Sequence, residues 1–169
     1  MRLLLTLSIG LAAAGVAGAA LRPPALVTLD GVAGVRPGMS VAAVSARWDI
    51  RLRPNYEVRP TCGQALIERP GLEGYAIFMP RGRFGAVFLS KGAVTGKGIR
   101  IGSTLAELKR TYPNLTSRPD RYIHGGRQYF LRRVRAPHWQ LRFDVSPGRR
   151  VTQIVFGERR SVALDEGCA

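Results

Sequence analysis

The apolar positions of the chain predict two short helices with the same pattern. Each predicted helix carries apolar residues at its first, fourth and eighth positions, which together form one stripe on a helix surface. The stripes are Val41, Val44 and Trp48 in the first helix and Leu105, Leu108 and Tyr112 in the second. We therefore expect each helix to pack one face against a core and to leave the other face in water.

Both predicted helices begin after a residue that can cap a helix N-terminus. Ser40 precedes the first helix and Thr104 the second, and a hydroxyl at this position accepts a hydrogen bond from an otherwise unpaired backbone N–H group. Glu107 follows three residues after Thr104 and completes a capping box. The first helix should end by Asp49, and the second should end before Pro113 because proline cannot continue a helix.

The two capping residues belong to similar glycine-rich phrases. Residues 34–40 read Gly-Val-Arg-Pro-Gly-Met-Ser, and residues 98–104 read Gly-Ile-Arg-Ile-Gly-Ser-Thr. Repetition of this kind indicates a repeated structural unit, and chance similarity of a short stretch is the alternative. The Gly-Lys at 96–97 lacks the spacing of a P-loop, and the dinucleotide-binding pattern is absent. The glycines are therefore expected to turn the backbone before each cap.

Alternating apolar and polar residues predict antiparallel strands after each helix. The predicted strands cover residues 75–79, 84–89, 128–134, 139–145 and 150–156, with a hairpin at 124–126. Alternation is clearest in 139–145, where Gln140, Arg142 and Asp144 share one side of the strand. This pattern predicts a sheet with one buried face and one face in water.

These elements predict an α+β fold of two tandem repeats, each a short helix packed on an antiparallel sheet meander. Residues 30–95 would form the first repeat and residues 96–160 the second. The repeated phrase, which is carried by Gly34, Gly38, Ser40, Gly98, Gly102 and Thr104, resembles two kinds of exported protein. These are the β-lactamase-inhibitor-protein type and, as a single repeat, the lipoprotein of the outer-membrane barrel-assembly machinery.

The resemblance implies tandem helix-plus-sheet repeats that bind another protein through a sheet face. The chain departs from the pattern because it has no lipid-anchor cysteine and carries one Cys62–Cys168 pair instead of a disulfide within each repeat. It is also far more basic. Inhibition of a β-lactamase is therefore not implied.

The start of the chain has the pattern of a secretory signal peptide. Residues 1–19 contain one arginine, then an apolar run, then small residues. The Ala17-Gly18-Ala19 triplet fits cleavage after Ala19, with Ala20 as the alternative, and an uncleaved membrane anchor is the other interpretation. We expect an exported protein, either periplasmic or extracellular.

The two cysteines agree with export. An even number of cysteines in an exported protein predicts a disulfide, here between Cys62 and Cys168. This bond would tie a C-terminal tail, residues 161–169, to the rest of the protein. Two free thiols are the alternative.

The charge of the chain is strongly positive. There are 26 Lys and Arg residues against 11 Asp and Glu, which gives a net charge of +15, and such a field attracts anionic partners. Basic and aromatic residues crowd the second half, and the candidate binding residues are Arg121, Arg127, Tyr129, Arg132, Arg133 and Arg142. Export favours an acidic protein or an anionic envelope component over nucleic acid. A solvated strand face in an arginine-rich proteome is the alternative.

Local motifs of catalysis are absent from the sequence. There is no His-Glu-x-x-His and no Gly-x-Ser-x-Gly, and His124 and His138 are the two histidines. Two histidines and a bonded cysteine pair make a poor metal-binding set. We therefore expect neither metal nor cofactor, and a non-enzymatic module that binds protein through a sheet face. An arginine-driven binder of an anionic envelope polymer or lipid is one alternative, and an enzyme with a non-local site is another.

Overall fold

The computed structural model describes residues 23–132, 138–165 and 167–168, which form two β-sheets and three short helices. The strands are β1 (Ala25–Thr28), β2 (Gly31–Val32), β3 (Gly63–Arg69), β4 (Leu72–Met79), β5 (Arg83–Lys91), β6 (Ala93–Thr95), β7 (Thr116–Pro119), β8 (Arg127–Arg132), β9 (Trp139–Val145) and β10 (Val151–Glu158). The helices are α1 (Val41–Trp48), α2 (Leu105–Thr111) and α3 (Arg159–Val162), and a 3-10 turn at Pro80–Gly82 precedes β5.

The larger sheet has seven antiparallel strands in the order β3-β4-β5-β10-β9-β8-β7. At its centre β5 pairs with β10, with Leu89 opposite Ile154 and Val87 opposite Phe156. The predicted fold class of two tandem helix-plus-sheet repeats is therefore wrong. The strands of both halves join into one continuous sheet in a mostly β structure, because an unpaired strand edge is satisfied by pairing with another edge.

The smaller sheet was not predicted from the sequence. Its strand order is β2-β1-β6, and β1 runs parallel to β6 with Ala25 opposite Ala93 and Val27 opposite Thr95. These strands are too short to show an alternating pattern. Their pairing joins residues far apart in sequence, which no local signal reveals.

The predicted helices and their caps are confirmed. In α1 the Ser40 hydroxyl accepts a hydrogen bond from the Ala43 backbone N–H at 3.2 Å. In α2 the Thr104 hydroxyl accepts from the Glu107 N–H at 3.2 Å, and the Glu107 carboxylate accepts from the Thr104 N–H at 2.7 Å. These two bonds form the expected capping box.

The two glycine phrases share one local geometry. Gly38 and Gly102 both have a φ of +89°, a conformation that favours glycine. The Gly38 N–H donates to the Phe84 carbonyl and the Gly102 N–H to the Val151 carbonyl, each at 2.8 Å. Each phrase therefore lies against the start of a sheet strand, and these two glycine N–H groups are used within the protein.

Apolar side chains cover both faces of the seven-stranded sheet. The larger cluster lies between one face and the helices α1 and α2, where Trp48 is fully buried with its ring edge against Phe84 at 5.6 Å. A second cluster on the opposite face contains Phe88, Val155 and Val162. The second face is therefore part of the core at its centre and not a fully hydrated surface.

Candidate binding surfaces

The polar face of β9 is buried, so the prediction of a sheet face in water is wrong. Gln140, Arg142 and Asp144 lie on this face, and Arg142 is only 1% exposed. Helix α3 and the residues after it lie across the face. The covering residues 159–165 and 167–168 are called the C-terminal segment below.

Arg142 binds the C-terminal segment from inside the protein. Its Nη1 donates to the carbonyl oxygens of Val162 at 2.6 Å and Leu164 at 3.2 Å. Its Nη2 donates to Asp144 Oδ2 at 3.0 Å, its Nε lies 2.9 Å from Asp144 Oδ1, and its guanidinium lies over the Phe88 ring at 5.2 Å. Arg142 was a candidate binding residue, and the structure places its charged group against the chain's own backbone and a buried carboxylate.

Asp165 makes a second polar connection between the C-terminal segment and the sheet. Its Oδ1 accepts hydrogen bonds from Arg118 Nη2 at 2.8 Å and from Gln128 Nε2 at 2.9 Å. Arg118 also donates to the carbonyl of Ala163 at 3.2 Å and to Gln128 Oε1 at 2.7 Å. The side chains of β7, β8 and β9 thus pair with the segment, which satisfies polar groups that would otherwise need water.

The predicted disulfide is confirmed, and it fixes the far end of the C-terminal segment. Cys62 and Cys168 are bonded with their Cα atoms 5.4 Å apart, and both residues are buried. Gly167 has a φ of +66°, and a Cβ there would meet Gln64 Oε1. Only glycine fits such a turn beside β3 without strain, and the segment is thereby held across the sheet.

Burial changes the acid–base behaviour of two groups beneath the segment. It raises the pKa of Asp144 to about 6, although the positive charge of Arg142 opposes this rise. It also raises the pKa of Tyr75 to about 12, so the phenol remains protonated at neutral pH. Both shifts follow from the cost of placing a charge away from water.

The candidate binding residues do not share one surface. Tyr129 is buried on the face opposite Arg142, where it belongs to the core under the helices and its ring lies 5.8 Å from Lys109 Nζ.

Of the remaining candidate arginines, Arg121 and Arg127 are exposed. Arg132 lies in β8, and Arg133 lies outside the described residues.

Arg121 and Arg127 flank the β7–β8 hairpin, whose end exposes two large apolar side chains. Tyr122 is 53% exposed and Ile123 is 46% exposed. The Asp120 carboxylate accepts hydrogen bonds from the backbone N–H groups of both residues, each at 2.9 Å, and the Arg121 guanidinium lies 5.9 Å from the centre of the Tyr122 ring. Arg121, Tyr122, Ile123 and Arg127 together are called the basic tip.

Sequence reasoning found the arginines of the basic tip but not its apolar residues. The available signal was an adjacent aromatic and aliphatic pair, Tyr122 and Ile123, just before the glycines of the predicted hairpin. Turns lie at the protein surface, so large apolar side chains within a turn are expected to be exposed to water.

The two histidines lie near opposite ends of β9. His124 is exposed in the confirmed hairpin, whose β8 strand begins with Arg127 opposite Val145. His138 is exposed just before β9 and lines a shallow cavity of about 340 Å³ with Glu158 and Arg159. The described residues contain no group of three or more His, Cys, Asp or Glu that could hold a metal ion.

Predictions about the first residues of the chain lie outside what the structure describes. The signal peptide at 1–19 therefore stays a prediction. Among the residues with described structure, no helix has the length and apolar character needed to cross a membrane.

Comparisons with known proteins give no family assignment. No protein-family model matches the chain, and no curated protein matches it. One solved structure with some similarity is a cysteine-rich secretory protein from Staphylococcus aureus, with 11% identity and a TM-score of 0.46. The match covers 73% of this chain and 44% of that protein, so the chain spans less than half of its length. The resemblance to β-lactamase-inhibitor proteins stays a prediction.

Proposed function

We propose that this protein is an exported, non-enzymatic binding module that binds an acidic protein through its basic tip. The observation that carries the proposal is the exposure of Tyr122 and Ile123 between two exposed arginines, Arg121 and Arg127. Tyrosine and arginine are enriched among the residues that dominate binding energy at protein interfaces. The net charge of +15 selects for an acidic partner.

The local structure of the basic tip favours binding at low entropic cost. Asp120 holds the backbone of Tyr122 and Ile123 through two hydrogen bonds, and the Gly126 N–H donates to the Ile123 carbonyl at 2.8 Å. A turn ordered before binding loses less conformational freedom when a partner docks.

The proposed surface differs from the sheet face expected from the sequence. The C-terminal segment occupies the polar face of β8 and β9, where Gln128, Arg142 and Asp144 are buried. A partner would have to displace this segment and the buried side chain of Val162. The basic tip needs no such displacement.

The proposed export of the protein rests on two features. Residues 1–19 have the pattern of a signal peptide, and the Cys62–Cys168 disulfide suits an oxidising compartment. The proposed location is the periplasm or the extracellular space.

The experiment uses site-specific photo-cross-linking at the basic tip. A benzophenone amino acid replaces Ile123 in the full-length protein, and cross-linked proteins are recovered from the envelope and medium of the source organism. The partner is then purified and titrated against the unmodified protein at about 0.15 M salt. We expect an acidic protein whose affinity falls on the order of tenfold or more in the Arg121→Glu/Arg127→Glu variant.

The matched control is the Arg51→Glu/Arg53→Glu variant, which makes the same change of net charge at exposed residues between α1 and β3. It should bind the partner almost as well as the unmodified protein. An equal loss of affinity in both variants would show that binding depends only on the total charge of the protein, and it would contradict the proposal. Salt-sensitive binding to phosphatidylglycerol vesicles or heparin, lost in the tip variant and without a protein partner, would replace it with the anionic lipid or polymer alternative.

A further inference from the structure

The outer strand β3 leaves backbone hydrogen-bonding groups unused. Asn55 and Gln64 exchange two hydrogen bonds on the outer side of β3, at 2.9 and 3.0 Å. Alternate residues of an antiparallel strand direct their backbone groups to the same side, so Leu66 and Glu68 direct theirs away from the sheet as Gln64 does. Within the described ranges, no backbone group pairs with Leu66 or Glu68 on that side.

The two edges of the seven-stranded sheet differ in their protection. At the β7 edge the outer strand has four residues and ends at Pro119, and short strands with proline discourage the addition of another strand. The β3 edge has seven residues and contains no proline. The β3 edge is therefore the one open to a further strand.

The side chains at the β3 edge define what kind of strand would fit. Leu66 is 64% exposed and lies on the same face as Glu68. Glu68 also lines a cavity of about 580 Å³, together with Arg69 and Glu73 among others. In the described part of the chain Glu68 has no ion-pair partner, whereas Glu73 pairs with Lys91 at 2.7 Å. This edge thus combines an apolar residue with an unpaired carboxylate on an otherwise basic protein.

We propose that β3 binds an extended peptide segment of a partner protein, which adds to the sheet as an eighth strand. Backbone hydrogen bonds to Leu66 and Glu68 would supply affinity, and alternate side chains of the segment would supply specificity. One of these side chains is apolar and packs on Leu66. The next on the same face is basic and pairs with Glu68, which marks the segment as basic and separates this site from the acidic partner of the basic tip.

The test measures binding of a short, end-capped, fluorescent peptide to the full-length protein. Its sequence is Thr-Val-Thr-Lys-Thr, in which valine and lysine stand two residues apart and therefore lie on the same face of an extended strand. We expect binding that falls on the order of tenfold when the peptide amides on one edge are N-methylated, because those amides would donate to β3. The Glu68→Lys variant should bind the unmethylated peptide as weakly as the unmodified protein binds the N-methylated one. The Arg121→Glu/Arg127→Glu variant should bind the peptide as well as the unmodified protein does. A failure of this proposal can therefore be distinguished from a failure of the proposed function.

The Leu66→Pro variant tests the backbone contribution directly. Proline removes the outward N–H group, which β4 does not use, and edge strands tolerate it. Leu66→Ala keeps that N–H group and is the matched control for the lost side chain. We expect Leu66→Pro to bind on the order of tenfold more weakly than Leu66→Ala, with circular dichroism confirming that both fold.

Several outcomes would overturn the proposal. They are the absence of peptide binding, equal binding of the N-methylated peptide, and binding that neither Glu68→Lys nor Leu66→Pro weakens. Self-association of the protein that Leu66→Pro abolishes, without peptide binding, would instead show pairing between two copies of β3. A matched peptide with glutamate in place of the lysine that binds equally well would overturn the assignment of a basic segment.

Discussion

Arg142 Nη1 donates a hydrogen bond to the carbonyl oxygen of Val162 at 2.6 Å, and this bond joins β9 of the large sheet to α3. Both residues are buried. Arg142 also pairs with Asp144, so one side chain neutralises a buried carboxylate and holds the covering segment. The C-terminal segment therefore contributes Val162 and Cys168 to the core.

Replacing Arg142 should destabilise the protein strongly. We expect Arg142→Met to lower the free energy of unfolding by about 3 kcal/mol or more, because it leaves a buried carboxylate and two carbonyl groups without their donor. The measurement is chemical denaturation followed by tryptophan fluorescence. The Arg142→Met/Asp144→Leu double variant should be more stable than Arg142→Met, since no unpaired charge remains. A double variant as unstable as the sum of both single changes would refute this account of the pair.

Breaking the disulfide should loosen the C-terminal segment. The bond closes a loop with a sequence separation of 106, and a loop of that size corresponds to roughly 4–5 kcal/mol of unfolding free energy in the chain-entropy model. We expect the Cys62→Ser/Cys168→Ser variant to lose this amount of unfolding free energy. We also expect faster hydrogen exchange at Ala163 and Leu164. Exchange that stays as slow as in the oxidised protein would show that Arg142 and Asp165 hold the segment without the disulfide.

The stability contributed by Asp144 should decrease as the pH rises. Burial raises the pKa of Asp144 in the folded protein to about 6, above its ordinary value of 3.8. Between these two values the folded state binds more protons than the unfolded state, so the free energy of unfolding falls with increasing pH. The test compares the protein with its Asp144→Asn variant by urea denaturation at a series of pH values. We expect the stability difference, protein minus variant, to fall from about pH 4 to about pH 6.

A difference that stays flat from about pH 4 to about pH 6 and rises with pH below about pH 4 would mean that Arg142 holds the pKa of Asp144 below its ordinary value. Attraction to the guanidinium would then outweigh burial.

Loss of the helix caps should have a moderate effect on stability. We expect Ser40→Ala and Thr104→Ala each to lower the free energy of unfolding by about 1 kcal/mol, because each removes the acceptor for a backbone N–H group. Hydrogen bonds from Thr104 lower the pKa of Glu107, so Thr104→Ala should also raise that pKa, as measured by NMR titration. Thr104→Ser keeps the oxygen and serves as the control. A loss of stability in Thr104→Ser as large as in Thr104→Ala would contradict the capping role.

The candidate site was only partly predictable. Arg121 and Arg127 were identified because arginines next to aromatic residues suit recognition of anionic groups. The role of Arg142 was misjudged because alternation along 139–145 shows that three polar side chains share a face but not what lies on that face. The Leu66 edge gave no signal, since a strand's position at the edge of a sheet depends on the pairing of every other strand.

The sequence alone determined the local features of this protein. Ser40 and Thr104 begin helices, the 139–145 alternation is a strand, and Cys62 pairs with Cys168, because each depends on interactions between near neighbours or on residue chemistry. Tertiary structure alone decided that β5 pairs with β10 and that the C-terminal segment covers Arg142. These choices depend on which distant surfaces bury the most apolar area and satisfy the most polar groups together, and no local stretch of sequence encodes that comparison.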